Sequence, residues 1–281
     1  MTSSTPETNH PDLWLPDWPW PEADSHKHKR GSLGVVTGPA ASTGAARLAA
    51  RAGLRIGAGL ATLFCPPSAT LVNAAHETAV MIKPFSTPDA LAELASSSKC
   101  VLIGPAAGVD STTRENTLEV LKHAGSSVLD ADALTVFKDQ PDALFNAITL
   151  PAVITPHDGE FSRIFPGLLD QYTRAEAAAI AAERSGAVVL LKGNETLIAA
   201  PDGRLTVNRH ASPFLATAGS GDVLAGMIAG LMAQGMEAHR AACAGAWCHG
   251  EVARRVGPGL ISEDLPDALP GLLSEFYARR A

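Results

Sequence analysis

With 281 residues, 46% of them hydrophobic, the chain is long enough to bury a large core as one big domain or two small ones, and no break in composition divides it. Its net charge of -7 argues against nucleic acid or an anionic membrane as the main partner, since both select basic surfaces, and small-molecule chemistry is favoured instead. The cysteines, Cys65, Cys100, Cys243 and Cys248, form neither a CxxC pair nor a zinc-like spacing, which reads as reduced core thiols in a cytoplasmic protein.

Residues 1–23 carry Trp14, Trp18 and Trp20 among several prolines, an N-terminal extension that resists regular structure yet is too aromatic for a free tail. It does not resemble a secretion signal, and it is expected to drape over a hydrophobic surface. The run His26–Arg30 reads as a solvated basic lead-in to the single domain expected over residues 24–281. From Ser32 onward β-branched runs alternate with Ala-rich helical stretches, the pattern of an α/β fold with parallel strands joined by crossover helices. Strands are predicted at Leu33–Thr37, Leu60–Phe64, Val101–Ile103, Val128–Leu129, Val153–Ile154 and Val188–Leu191. Helices are predicted near Ala45–Arg55, Pro88–Ser96, Thr112–Ala124, Leu134–Phe137 and Arg174–Arg184, the last opened by a Thr173/Glu176 capping box. Thr196–Ala200 and Leu205–Asn208 flank Pro201-Asp202-Gly203 as a hairpin. Two long helices, about Gly221–Gln234 and Glu237–Val256, are expected to close the fold, with Gly226 and Gly230 serving close helix packing. No apolar run reaches the roughly 18–20 residues needed to span a bilayer.

A doubly wound sheet binds ligands outside the carboxyl ends of its strands, so the residues following each strand are the functional candidates. Gly38 to Ala45 is a small-residue loop opening a helix, but it fits neither GxGxxG nor GxxxxGK[ST]. Gly104 to Gly108 repeats the theme, and a plain tight turn explains it as well. Asp130 and Asp132 sit at a strand-to-helix junction, placed to hold Mg²⁺ through water or to orient a substrate, while capping by Asp132 accounts for the same letters. His157, Asp158 and Glu160 crowd three ionisable groups at the next strand end. Lys192 to Thr196 offers a point charge and a hydroxyl to a phosphate, or simply begins the hairpin. In Gly219-Ser220-Gly221-Asp222 the glycines let backbone N–H groups converge at a helix N-terminus, an anion hole with a carboxylate close enough to deprotonate a bound hydroxyl. Such a turn also suits an Asp-capped surface helix.

With TPHDGE, KGNET and LATAGSGDVLAG in that order, and STGAARLAARAGLRIGAGLAT near the start, the chain resembles the ADP/ATP-dependent NAD(P)H-hydrate dehydratases of the ribokinase-like superfamily over roughly Lys29 to Arg280. It departs from the family pattern at Ala106-Ala107, Asn194-Glu195 and His210-Ala211. The resemblance implies a three-layer α/β/α fold around a mostly parallel sheet. It also implies that Ala45, Gly108, His157 and Asp222 line the hydrated dinucleotide, and that Lys192, Gly193, Asn194, Glu195, Thr196 and Gly221 hold the adenine nucleotide. Asp222 is then the catalytic base. It deprotonates the hydroxyl on carbon 6 of the hydrated nicotinamide ring, which accepts a phosphoryl group from ADP or ATP and leaves as phosphate.

Mg²⁺ bridging the phosphates, a homo-oligomer such as a tetramer, and functional pairing with an NAD(P)H-hydrate epimerase on a separate chain are further expectations from the family. The compact, stand-alone form leans toward ADP as donor. A ribokinase-like kinase of a small alcohol would use the same anion hole and base but release a stable phosphoester. A non-catalytic nucleotide sensor would have no need of Asp222 in an intact AGSGD turn.

Overall fold

The computed structural model describes residues 5–280. Its strands are β1 (Glu7–Thr8), β2 (Ser32–Val36), β3 (Leu60–Cys65), β4 (Met81–Pro84), β5 (Cys100–Ile103), β6 (Ser127–Leu129), β7 (Ala152–Ile154), β8 (Val188–Leu191), β9 (Thr196–Ala199) and β10 (Leu205–Asn208). They form one sheet in the order β1-β10-β9-β8-β7-β6-β5-β2-β3-β4. The run from β8 to β4 is parallel, β9 is antiparallel to both β8 and β10, and β1 lies parallel to β10.

Both faces of the central strands are buried, which is why those strands read as continuous apolar runs. Leu33, Val35, Leu102, Val128 and Val153 face a core shared with the helices Gly44–Arg55, Ser220–Ala233, Ala238–Val256 and Asp264–Ala278. Val36, Val101, Ile103, Leu129 and Ile154 face a second core with Phe137, Phe145, Phe161 and Phe165. Successive side chains thus go to opposite layers, as the period of two requires. The sense of the strand order changes between β5 and β2, which opens a crevice at their carboxyl ends.

The six predicted strands and the hairpin are present, the latter closed by the Ala200 N–H donating to the Arg204 carbonyl at 2.9 Å. Among the elements that escaped the sequence pattern are β4 and a third C-terminal helix. β4 is an edge strand with mostly exposed side chains, so no alternation marks it. The third C-terminal helix, Asp264–Ala278, follows the two expected to close the fold; Pro266 and Pro270 read as breakers, but Pro266 lies in the first turn, where no N–H is needed. Its buried Leu265, Leu269, Leu272 and Phe276 at helical spacing were the available signal.

The N-terminal segment does more than drape. β1 extends the sheet, Trp14 is fully buried, and its ring packs 5.7 Å from both Trp18 and Phe276 and 5.9 Å from Trp247. Its indole N–H donates to the Asn9 Oδ1 at 3.1 Å, and the Asn9 amide donates to Asn208 Oδ1 at 2.9 Å and to the Cys243 carbonyl at 2.8 Å. The basic run is exposed, with Lys29 paired to Glu22 and Asp24. All four cysteines are buried free thiols. Among the described residues no helix is long and apolar enough to cross a membrane.

Candidate active site

The first turn of Ser220–Ala233 sets the site. Gly219 takes a left-handed conformation, φ 88°, as the N-cap, which only glycine adopts without strain and which turns the chain sharply into the helix. The Ser220 hydroxyl donates to the Leu215 carbonyl at 2.7 Å, and the Ser262 hydroxyl to the Ala218 carbonyl at 2.6 Å, pinning the turn on both sides. Among the described residues no carbonyl or side chain accepts from the Gly221 and Asp222 N–H groups. They are the orphan donors of a helix start, at the positive end of its dipole. The Ser220 N–H, by contrast, leans on the Thr217 carbonyl at 3.4 Å. The Gly219 N–H likewise meets no acceptor among the described residues, so open amides stand on both sides of Ser220.

Asp222 is half-buried, and burial raises its carboxyl to a pKa of about 6; the charge of Asp130 adds to the rise and Lys192 opposes it. Lys192 leaves the end of β8, where its Nζ meets Asp130 Oδ1 at 2.8 Å and Glu160 Oε2 at 3.8 Å. Burial pulls its ammonium down, but Asp130 and Glu160 outweigh it and hold the pKa above the ordinary lysine value. A Cβ on Gly221 would lie 3.8 Å from that Nζ, so the cation stands beside the open amides.

Neighbouring strand ends steer these groups. Gly104 passes so close to Asp130 that a Cβ there would fall 1.7 Å from the Asp130 carbonyl oxygen. Asp132 does not cap its helix: Ala131, with φ 49°, occupies that position, and Asp132 Oδ2 accepts from the Gly108 N–H at 2.9 Å. His157 caps Asp158–Ile164, its Nδ1 accepting from the Gly159 and Glu160 N–H groups at 2.9 and 3.3 Å. The other ring nitrogen, Nε2, faces Glu160 Oε1 at 3.5 Å. The Glu160 carboxylate closes the box on the His157 N–H at 2.9 Å and so is aimed at Lys192.

Ala45 reaches this centre through helix packing. A Cβ on Gly226 would lie 2.2 Å from the Ala49 carbonyl oxygen, and one on Gly230 would lie 2.7 Å from Gly53, so the two helices run together in a register of fours. One turn back, the same register sets Ala45 opposite Asp222.

Beside the anion hole a cleft of about 540 Å³ opens between the hairpin and the helices Ser220–Ala233 and Ala238–Val256. Lys192, Gly193, Asn194, Thr196 and Gly221 line it; Glu195 does not, and instead pairs at the surface with Arg209, 2.7 Å away. Gly193 is held by Arg174, whose guanidinium donates to the Lys192 carbonyl at 3.0 Å and pairs with Asp158. Sequence reasoning passed over His249, which lines the cleft from within the Ala-rich helix Ala238–Val256, its Nε2 without a hydrogen-bond partner among the described residues. Burial lowers its pKa to about 4, so the ring is neutral and presents an apolar-seated acceptor or donor to a ligand. Among the described residues no three histidine, cysteine, aspartate or glutamate side chains gather as a metal cage.

A family model described as NAD(P)H-hydrate dehydratase matches residues 33–268. The ADP-dependent (S)-NAD(P)H-hydrate dehydratase of Neisseria meningitidis serogroup B is 36% identical over 236 residues, 82% of this chain and 78% of the relative. The bifunctional NAD(P)H-hydrate repair enzyme Nnr of Salinibacter ruber is 36% identical over 277 residues, 92% of this chain and 51% of the relative. The chain therefore spans about half the length of the bifunctional relatives it matches. The crystal structure of the ADP/ATP-dependent NAD(P)H-hydrate dehydratase from Bacillus subtilis, co-crystallised with ATP and Mg²⁺, superposes with a TM-score of 0.84 at 26% identity and covers 98% of this chain and 100% of that one. The layered sheet, the strand-end loops and the family match agree: the chain belongs to the NAD(P)H-hydrate dehydratase family, on a ribokinase-like fold.

Proposed function

We propose that this chain restores NAD(P)H from the S-epimer of its hydrate, using an adenine nucleotide, with ADP the preferred donor, as a transient phosphorylating agent. The observation that carries the reading is Asp222: a half-buried carboxylate with a pKa of about 6, on a turn of open backbone amides and beside a lysine. Such a carboxylate is ionised at neutral pH yet more basic than an exposed one, as a general base requires.

In the proposed reaction the nucleotide lies in the cleft lined by Lys192, Asn194, Thr196 and His249, its terminal phosphoryl group against the Gly221 and Asp222 amides. The hydrate's reacting ring sits among Ala45, Gly108, His157 and Asp222. Asp222 takes the proton from the hydroxyl on carbon 6 as its oxygen attacks the terminal phosphorus, and the bond to the departing nucleotide breaks. The ring nitrogen's electron pair then expels phosphate from carbon 6, and loss of a proton from carbon 5 restores the double bond. Hydroxide would be a poor leaving group; phosphate is a good one. The amides and Lys192 neutralise charge where it develops, which is where catalysis of phosphoryl transfer resides.

Mg²⁺ fits this donor set as a phosphate-borne ion, because Mg²⁺ keeps several waters and takes only one or two carboxylates, and Asp130 and Glu160 are placed to meet its shell. When bound it would offset the charge of the bridging phosphates. By family resemblance the working form is a homo-oligomer, which sedimentation would show as a mass above 29.1 kDa, and an epimerase supplies the S-form.

The test is to follow the return of nicotinamide absorbance from NADH hydrate with ADP or ATP. Wild-type protein restores it and releases free phosphate, whereas Asp222→Asn loses at least about a thousandfold in kcat but retains nucleotide binding by calorimetry. A stable phosphoester product would instead identify a small-alcohol kinase, and an unimpaired Asp222→Asn would remove the base from the mechanism.

A further inference from the structure

The N-terminal segment reaches the nucleotide cleft by two routes. Along the first, the Asn9 N–H donates to the Val207 carbonyl at 2.8 Å, and the buried Asn9 side-chain amide donates to Asn208 Oδ1 at 2.9 Å. Asn208 in turn donates to the His210 carbonyl at 3.2 Å. That carbonyl lies so close to the helix Ala238–Val256 that a Cβ on Gly250 would fall 1.8 Å from its oxygen. Along the second route, Trp14 packs on Trp247, and the Trp247 indole stacks on the His210 ring, with centroids 4.4 Å apart and planes within 6° of parallel. Glu251 Oε2 meets His210 Nε2 at 2.8 Å and Glu251 Oε1 meets Arg255 at 2.9 Å, which fixes the ring along its edge. Asn208 and His210 both line the cleft, and the His210 side chain remains 25% exposed.

We propose that His210 is a wall against which the base of the adenine nucleotide packs, and that Asn9 and Trp14 are positioning residues that hold it there. The inference rests on the reading that the phosphoryl donor occupies this cleft. Lys192 and the open amide of Gly221 serve the phosphates. A flat ring backed by an indole, with a carboxylate already on its Nε2, suits an uncharged purine better than another phosphate. Holding that ring in place before the ligand arrives lowers the entropy cost of binding, and two buried tethers from a remote segment do this. His210 also lies at one of the chain's departures from the family pattern.

The test is a double-mutant cycle on ADP affinity, read by calorimetry well below the melting temperature of each protein. His210→Ala and Asn9→Ala should each weaken the Kd for ADP about tenfold, and the double variant should be no more than about twofold worse than His210→Ala, because Asn9 acts through the ring it positions. Phe145→Leu, in the opposite core, lowers the melting temperature but leaves that Kd unchanged. Should Asn9→Ala not fold, Asn9→Ser, too short to reach Asn208, takes its place in the cycle. Additive losses of about a hundredfold, an unchanged Kd in either single variant, or an equal loss in Phe145→Leu overturns the proposal. Should wild-type protein bind no adenine nucleotide, the reading of the cleft fails and this inference with it. Binding that Lys192→Ala weakens but His210→Ala leaves alone overturns this inference only.

Discussion

Asp222 concentrates the tension between folding and chemistry in one side chain. Its pKa of about 6 lies above the ordinary aspartate value of 3.8, because folding removes water from the charged form and Asp130 repels it. A carboxyl whose folded pKa is raised is most favourable to the fold when protonated, and that advantage disappears as pH rises through about 6. Asp222→Asn should therefore be more stable than wild type at pH 8, by about 1–3 kcal/mol, with the difference vanishing toward pH 4; paired thermal melts at the two pH values check this. For catalysis the sign reverses, and kcat/KM should fall as pH drops below about 6 and the base is protonated. Lys192 tests the other half of the centre. Lys192→Ala removes a cation beside the open amides and strands Asp130 in a buried position, so nucleotide affinity by calorimetry should drop at least about tenfold, whereas a change confined to kcat would contradict a phosphate-holding role.

Among the elements, the helix pair Gly44–Arg55 and Ser220–Ala233 aligns the two sides of the site. Gly226 and Gly230 lie against Ala49 and Gly53 with no room for a Cβ, and this close approach fixes the register that sets Ala45 opposite Asp222. Gly226→Ala should force the helices apart, at a cost of about 3 kcal/mol in urea unfolding, and should lower kcat through the displaced Ala45. The GxxxG spacing announced close packing in the sequence but did not name the partner helix. Likewise, His157 was legible as a strand-end residue, but its use as a helix cap that aims Glu160 at Lys192 required coordinates. His249 was illegible because a histidine inside an Ala-rich helix carries no local signal of the cavity that it faces.

At the scale of the whole molecule, the N-terminal segment belongs to the core. Trp14 touches Trp18, Trp247 and Phe276, and Asn9 ties β1 to β10 and to the helix Ala238–Val256. Trp14→Ala should cost about 3–5 kcal/mol and shift the denaturation midpoint of the whole chain, an effect that a segment merely resting on the surface would not have. The sequence by itself determined the alternation of buried strands and helices, the hairpin, and the turn from Gly219 to Asp222, because periodicity, glycine placement and turn chemistry act over a few residues. Only the tertiary structure decided that Asp130, Glu160, Lys192 and Asp222, drawn from four segments, share one electrostatic centre, and that a cleft opens beside it. Those relations depend on strand order and helix register, which bring together groups up to 92 residues apart in the chain, Asp130 and Asp222, beyond the reach of any local pattern.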